Sequence, residues 1–182
     1  DRAGNYNNFI LTQSTFTFDR VNPASWVTTP ATEGGSVMTA PLLAGSATDY
    51  TTGVTATADI STVQIRIQQD FGGGQAGDCS TTTTNAYYWN GSAWQAAPEV
   101  WLGVGSYNPG TDEWTFDSSG VDFKAQCFYI IKSSAVDNAG NAQPSAGFGT
   151  RRFKFTPPSA VSRITSPGAN RYQKTITAVS GT

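Results

Sequence analysis

Hydrophobic and polar positions alternate with period two along several short stretches of the chain, and no stretch keeps a helical period over a useful length. The cleanest alternation runs from Asp59 to Gln68, with Val63, Ile65 and Ile67 on one face and Gln64, Arg66 and Gln68 on the other. It predicts a half-buried strand that holds Arg66 toward solvent. From Cys127, the residues Tyr129, Ile131, Ser133 and Ala135 share a face opposite Phe128, Ile130, Lys132 and Ser134, so a second strand runs into Asp137. Asp137-Asn138-Ala139-Gly140-Asn141 is turn chemistry, because such residues tolerate positive φ or bond to their own backbone. Arg151 to Phe155 alternates again and stops at Pro157-Pro158, where ladder donors are missing. The stretch 127–155 therefore predicts a hairpin with a long connection.

Shorter segments follow the same rule. Val37 to Ala44 reads as a strand ended by Gly45-Ser46-Ala47-Thr48-Asp49. Ala86 to Trp94 reads as an aromatic hairpin about an Asn90-Gly91 turn, and Glu99–Val104 and Glu113–Asp117 add strands around Trp101 and Trp114. Residues 19–34, with Pro23, Trp26 and Pro30, read as a junction. Residues 71–85, FGGGQAGDCSTTTTN, hold too little apolar surface to pack alone and read as a surface loop. No Gly-Lys-Ser/Thr follows their glycines, so they form no phosphate loop. Seven to nine short strands predict an all-β fold of two packed antiparallel sheets.

The pattern also repeats. Gly4 matches Gly140 at an offset of 136; Phe16, Phe18 and Pro30 match Phe153, Phe155 and Pro167 at 137; Gly45 matches Gly181 at 136. Five matches in one order, reconciled by one-residue gaps, read as a window on a repeat of about 137 residues. The expected organisation is 1–22 as the final strands of a preceding unit, 23–158 as a complete unit, and 159–182 as the first strands of the next. With no initiator Met and no signal peptide, Asp1 is expected not to be a natural start.

Composition narrows the function. Only 13% of residues are charged and the formal net charge is −2, which argues against nucleic acid as a partner. No apolar run approaches the roughly 18 residues of a membrane span. There is no histidine to complete a zinc site or a nucleophile–base pair, and Cys79 and Cys127 are the only cysteines. Their expected use is a disulfide, against the alternative of two buried thiols. Closing a loop of about 49 residues would stabilise by roughly 4 kcal/mol in the chain-entropy model. Such a bond implies an oxidising, extracellular setting.

Carboxylates gather at strand ends. Calcium takes six to eight oxygen ligands, and Asp137, Asn138 and Asn141, with Asp19 or Asp49 of a neighbouring unit, are candidate ligands at a unit junction. The competing reading is that these side chains close turns on their own backbone. Trp89, Trp94, Trp101 and Trp114 are candidates for a glycan-stacking platform, against the reading that they pack the core. Tyr129 is a candidate tyrosine corner. A glycosidase reading would need two carboxylates facing each other across a cleft, such as Glu99 and Glu113, and nothing supports that pair. Lys124, Lys132 and Lys154 are the candidates for an intramolecular amide, with Lys124 and Lys132 in a polar-facing register. Asn90-Gly91-Ser92 matches a glycosylation acceptor but reads first as a turn.

The succession VQIRIQ, YYWNGSAW, a Trp-containing strand, CFYIIKSSAVDNAGN and Phe-x-Phe before Pro-Pro resembles a bacterial immunoglobulin-like repeat, and ITSP…ITAVSGT resembles the first strands of a following unit. The resemblance covers essentially the whole chain. It implies a Greek-key sandwich strung in tandem in a large secreted or surface protein. The Gly-rich insertion that carries Cys79 departs from the plain pattern. Two functions are therefore expected: a non-enzymatic rigid spacer of a surface fibre or sheath that associates head to tail with copies of itself, or an adhesin-type module that holds a glycan or protein partner through loop 71–85 and exposed aromatics.

Overall fold

A computed structural model describes residues 19–49, 60–70, 87–159, 162–166, 175 and 178–181. The expected strand within 1–18 and the loop 71–85 lie outside them. The described residues are all β, apart from one 3-10 turn at Ser145–Gly147. In chain order the strands are β1 Ala24–Thr29, β2 Gly35–Val37, β3 Leu42–Thr48, β4 Ile60–Asp70, β5 Tyr87–Trp89, β6 Trp94–Ala96, β7 Leu102–Gly103, β8 Ser106–Asn108, β9 Glu113–Asp117, β10 Phe128–Asp137, β11 Gly149–Phe155, β12 Ile164–Ser166 and β13 Ser180–Gly181. One sheet has the order β1-β3-β9-β8. The other has β2-β11-β10-β4-β5-β6, with β7 also on β4, and β12 pairs with β13 alone.

The two long alternations build the centre of the larger sheet. Val63, Ile65 and Ile67 of β4 face Ala135, Ser133 and Ile131 of β10 in antiparallel register, and all are buried. From the smaller sheet Val27, Leu43, Ala47 and Trp114 close onto them, and Phe123, Tyr129 and Phe153 fill one end. A buried polar bridge joins the layers. Ser25 Oγ of β1 lies 2.9 Å from Ser133 Oγ and donates to Gln143 Oε1 at 2.7 Å, while Gln143 also accepts from Ala135 N–H. Gly149 is needed where β1 crosses β11, because a Cβ there would meet Ser133 Oγ, the Ser25 carbonyl and Trp26 Cα.

Four expectations change. The junction 19–34 contains β1: Ser25 and Val27 are buried between an intermediate Ala24 and an exposed Trp26, and Pro23 and Pro30 bracket the strand rather than prevent it. The strand expected at 37–44 lies at Leu42–Thr48, so Gly45-Ser46-Ala47-Thr48 is strand and not its end. Trp114 is paired opposite Gly45 and its ring covers the space a side chain would take, which selects glycine within the ladder. Arg66 does not reach solvent. It is 5% exposed, because Tyr88, Glu99 and Trp101 cover that face of β4. The segment expected as a strand over 99–104 is strand only at Leu102–Gly103.

The registers also fix a long axis. β1 begins opposite Thr48 at the end of β3, and β10 ends at Asp137 opposite Ile60, so Asp19, Asp49 and Asp137 gather at one pole. β11 runs back along β10 and ends at Phe155, whose N–H donates to the Cys127 carbonyl at the other pole. The ten residues of β10 span about 30 Å, so the chain enters and leaves the sandwich at opposite ends.

The pair β12–β13 copies the pair β1–β3. Ile164 faces Gly181 and Ser166 faces Ser180, with an irregularity between them; Val27 faces Gly45 and Thr29 faces Ala44, with the same irregularity. The offsets are 137 on the first strand and 136 on the second, those read from the sequence.

Candidate functional site

The acidic pole is built by three strand ends. Asp19 precedes β1, Asp49 follows β3 and Asp137 closes β10. One carboxylate oxygen from each lies within 4.8 Å of the others, and Asp49 and Asp137 are 4% and 2% exposed. Oxygens that share a calcium ion at 2.3–2.6 Å stand at most about 5 Å apart, so the spacing fits one ion. The turn after β10 holds Asp137 in place. Asn141 donates its backbone N–H to Asp137 Oδ1 at 2.7 Å and its side-chain Nδ2 to Oδ2 at 2.8 Å. The same Nδ2 reaches the Asp19 carbonyl at 3.4 Å, and Asp19 Oδ1 accepts from Val21 N–H at 2.8 Å. The turn reading and the ligand reading therefore apply to the same groups.

Four of the five residues expected at a calcium site, Asp19, Asp49, Asp137 and Asn141, are brought together. Asn138 is exposed. Carbonyls and water would have to complete the coordination. Holding three carboxylates within 4.8 Å of each other, two of them buried, is unfavourable without a cation or protons to offset their repulsion.

At the far pole Tyr129 forms the expected corner: its hydroxyl accepts from Lys124 N–H at 2.6 Å, and its ring packs on Trp94, Phe123 and Phe153. Burial pushes its hydroxyl up to about 12, against the lowering effect of the Lys124 N–H. Tyr107 is also pushed up to about 12, by burial first and then by Asp112. Both groups favour the fold while protonated. Their contribution is complete below pH 10, the ordinary value, and is lost as pH rises toward about 12. We expect cooperative alkaline unfolding in that window by circular dichroism, with a shallower slope in Tyr129→Phe; an unchanged slope would exclude Tyr129 as a source.

Cys127 is fully buried beside the tyrosine corner, and no cysteine among the described residues is free. Its expected partner Cys79 lies outside the described residues. β4 ends at Asp70 directly opposite Phe128, so the segment that carries Cys79 starts at the pole of Cys127.

The four tryptophans do not make an open platform. Trp114 and Trp89 are 0% and 4% exposed and belong to the core. Trp94 is half-buried, donating Nε1 to the Asp122 carbonyl at 2.8 Å, and Trp101 is wedged between Arg66 and Phe148. Trp26, which the proline-bracketed junction concealed, is the exposed one at 46%. Asn90 spends its side chain on the hairpin turn, accepting from Ser92 and Ala93 N–H and donating to Gln95. Glu99 binds Arg66 on the larger sheet while Glu113 lies in the smaller sheet beside Thr111, so the two face no common cleft. Lys124 pairs with Asp122, and Lys132 stays on the outer face.

No protein-family model matches the chain, and no curated protein matches it in sequence. No helix among the described residues is long and apolar enough to cross a membrane.

Proposed function

We propose that the chain is a non-enzymatic structural repeat of an extracellular surface fibre or sheath, an immunoglobulin-like sandwich that acts as a rigid spacer and associates head to tail. The observation that carries this reading is the second hairpin. β12–β13 keeps the register and irregularity of β1–β3, and it keeps the residue types that β1–β3 turns toward the core. Ser162 stands for Ser25, Ile164 for Val27, Val179 for Leu43 and Gly181 for Gly45. Outward positions differ, with Arg163 for Trp26 and Ala178 for Leu42. Val179 is 63% exposed where Leu43 is buried, so the hairpin presents a core face that calls for a sandwich body of the same build.

Other features agree. The orders β1-β3-β9-β8 and β11-β10-β4 correspond to the two sheets of an immunoglobulin-like Greek key, with Tyr129 as its corner. Entry and exit at opposite poles suit units strung in line, and 23–158 is the complete unit of this reading. The residue types Asp137, Ala139, Gly140 and Asn141 recur in the sequence as Asp1, Ala3, Gly4 and Asn5, which agrees with a repeated unit. A Cys79–Cys127 disulfide, supported by the unfree state of Cys127, fits an extracellular setting.

Light scattering over a concentration series tests the association. A mass that climbs in whole multiples of the 19.2 kDa chain is expected. A constant single-chain mass at the highest concentration would overturn self-association.

A further inference from the structure

Where the two sheets part beside β7 and β9 there is a second feature, independent of the acidic pole. An open cleft of about 300 Å³ is lined by Trp89, Leu102, Phe116 and Val121, with Asp117 and three glycines, Gly91, Gly103 and Gly120. That volume is at the small end of ligand pockets, and the mixture of apolar walls with one placed polar group is their usual composition. Among the described lining residues Asp117 is the only charged one. Its Oδ1 accepts from Ser119 N–H at 2.8 Å, and this bond, with a second from the Ser119 hydroxyl, lowers its pKa and keeps the carboxylate ionised. A carboxylate has about four lone-pair sites, so these two bonds leave it capacity for a further donor.

Backbone rather than side chain forms much of the wall. A Cβ at Gly103 or Gly120 would meet nothing within 4 Å, and neither residue has positive φ. Any L residue therefore fits there without strain, and both positions are conformationally free to carry a side chain that would occupy the cleft. Aromatic and aliphatic walls, a single fixed anion and no cation select against anions. They give a neutral molecule only apolar contact, and a cation both apolar contact and charge.

We propose that this cleft is a binding site for a small organic ammonium ion, its apolar body between Trp89, Leu102 and Phe116 and its charged nitrogen on Asp117. The complementary features are a short aryl or alkyl chain, because the space is limited, and a primary amine, because an ionised carboxylate accepts N–H donors.

The test is a titration of the whole chain with phenethylammonium, followed by amide nitrogen–proton shifts, with phenethyl alcohol as the neutral isostere. Shifts centred on Gly91, Gly103 and Gly120 are expected, with the amine at least about tenfold tighter than the alcohol. Asp117→Asn should erase that tenfold preference while leaving the alcohol's affinity unchanged. Gly120→Leu, which the open space accommodates, should abolish both. Shifts scattered over the surface, equal affinity for amine and alcohol, or binding that survives Gly120→Leu would each overturn the proposal. A lysine-containing tripeptide binding more tightly than the free amine would also overturn it, by assigning the cleft to a protein side chain. None of these outcomes bears on the spacer reading, which rests on the second hairpin.

Discussion

Gly45→Val should leave the chain unable to hold its sandwich. Gly45 sits mid-strand between Val27 and Trp114, and a Cβ there would run into the Trp26 carbonyl and the Trp114 ring. The first obstacle is backbone of the neighbouring strand, which cannot swing aside as a flexible side chain would. The second is the largest fully buried side chain among the described residues, with its Nε1 donating to the Ser46 carbonyl at 3.3 Å. Relief requires opening the β1–β3 ladder or expelling the indole. Overpacking ordinarily costs about 1–3 kcal/mol, and one that displaces backbone and a buried tryptophan together should reach on the order of 4 kcal/mol or more. Denaturant unfolding of Gly45→Val beside Gly103→Ala provides the comparison. Gly103 has open space around it, and its variant should stay within about 0.5 kcal/mol of the parent. A folded Gly45→Val of parental stability would mean that Trp114 does not pack on β3 as described.

Calcium should stabilise the sandwich through the acidic pole. An ion that binds only the folded chain contributes about 2.7 kcal/mol at a hundredfold its Kd, which for a unit of this size is roughly 5–10 °C in Tm. Scanning calorimetry in calcium and in chelator reads that difference. Asp137→Asn should remove it, since Asp137 is the most buried of the three carboxylates. In chelator the variant should be no less stable than the parent, because a neutral amide there relieves the repulsion among Asp19, Asp49 and Asp137. A Tm indifferent to calcium would leave the three carboxylates as turn-formers.

Particular residues explain how far the sequence carries. β4 and β10 are legible because consecutive inward positions are apolar or small, Val63, Ile65 and Ile67 in β4 and Tyr129, Ile131, Ser133 and Ala135 in β10, and in the structure the two pair with each other. The turn at Asp137–Asn141 is legible for the same local reason. Gly45 is not, because Gly-Ser-Ala-Thr carries the propensities of a turn, and only the Trp114 ring 69 positions later makes a glycine the required strand residue. Arg66 obeys the pleat and points outward, yet a segment from Glu99 to Trp101 folds over it; covering of that kind is non-local. β1 is concealed by the prolines on either side.

The candidate site divides in the same way. The acidic residues and their turn chemistry are visible one by one. Asp19, Asp49 and Asp137 are separated by 30 and 88 residues, however, and only the topology brings them within 4.8 Å. The tryptophans mislead for the opposite reason. Aromatic clustering has the same appearance for a platform and a core, and Trp114 and Trp89 prove to be core. The matches at fixed offset are the exception, a non-local pattern read directly from the sequence. Their offsets of 136 and 137 reappear, one on each strand, in the pairing of β12 with β13.

The central claim is that these units are built to join end to end, and electron microscopy of the purified chain, with calcium and with chelator, tests it most directly. The account predicts long, unbranched particles one sandwich wide in calcium, shortening or dispersing in chelator as the acidic pole loses its ion. Compact single-chain particles, identical in both conditions, would contradict it.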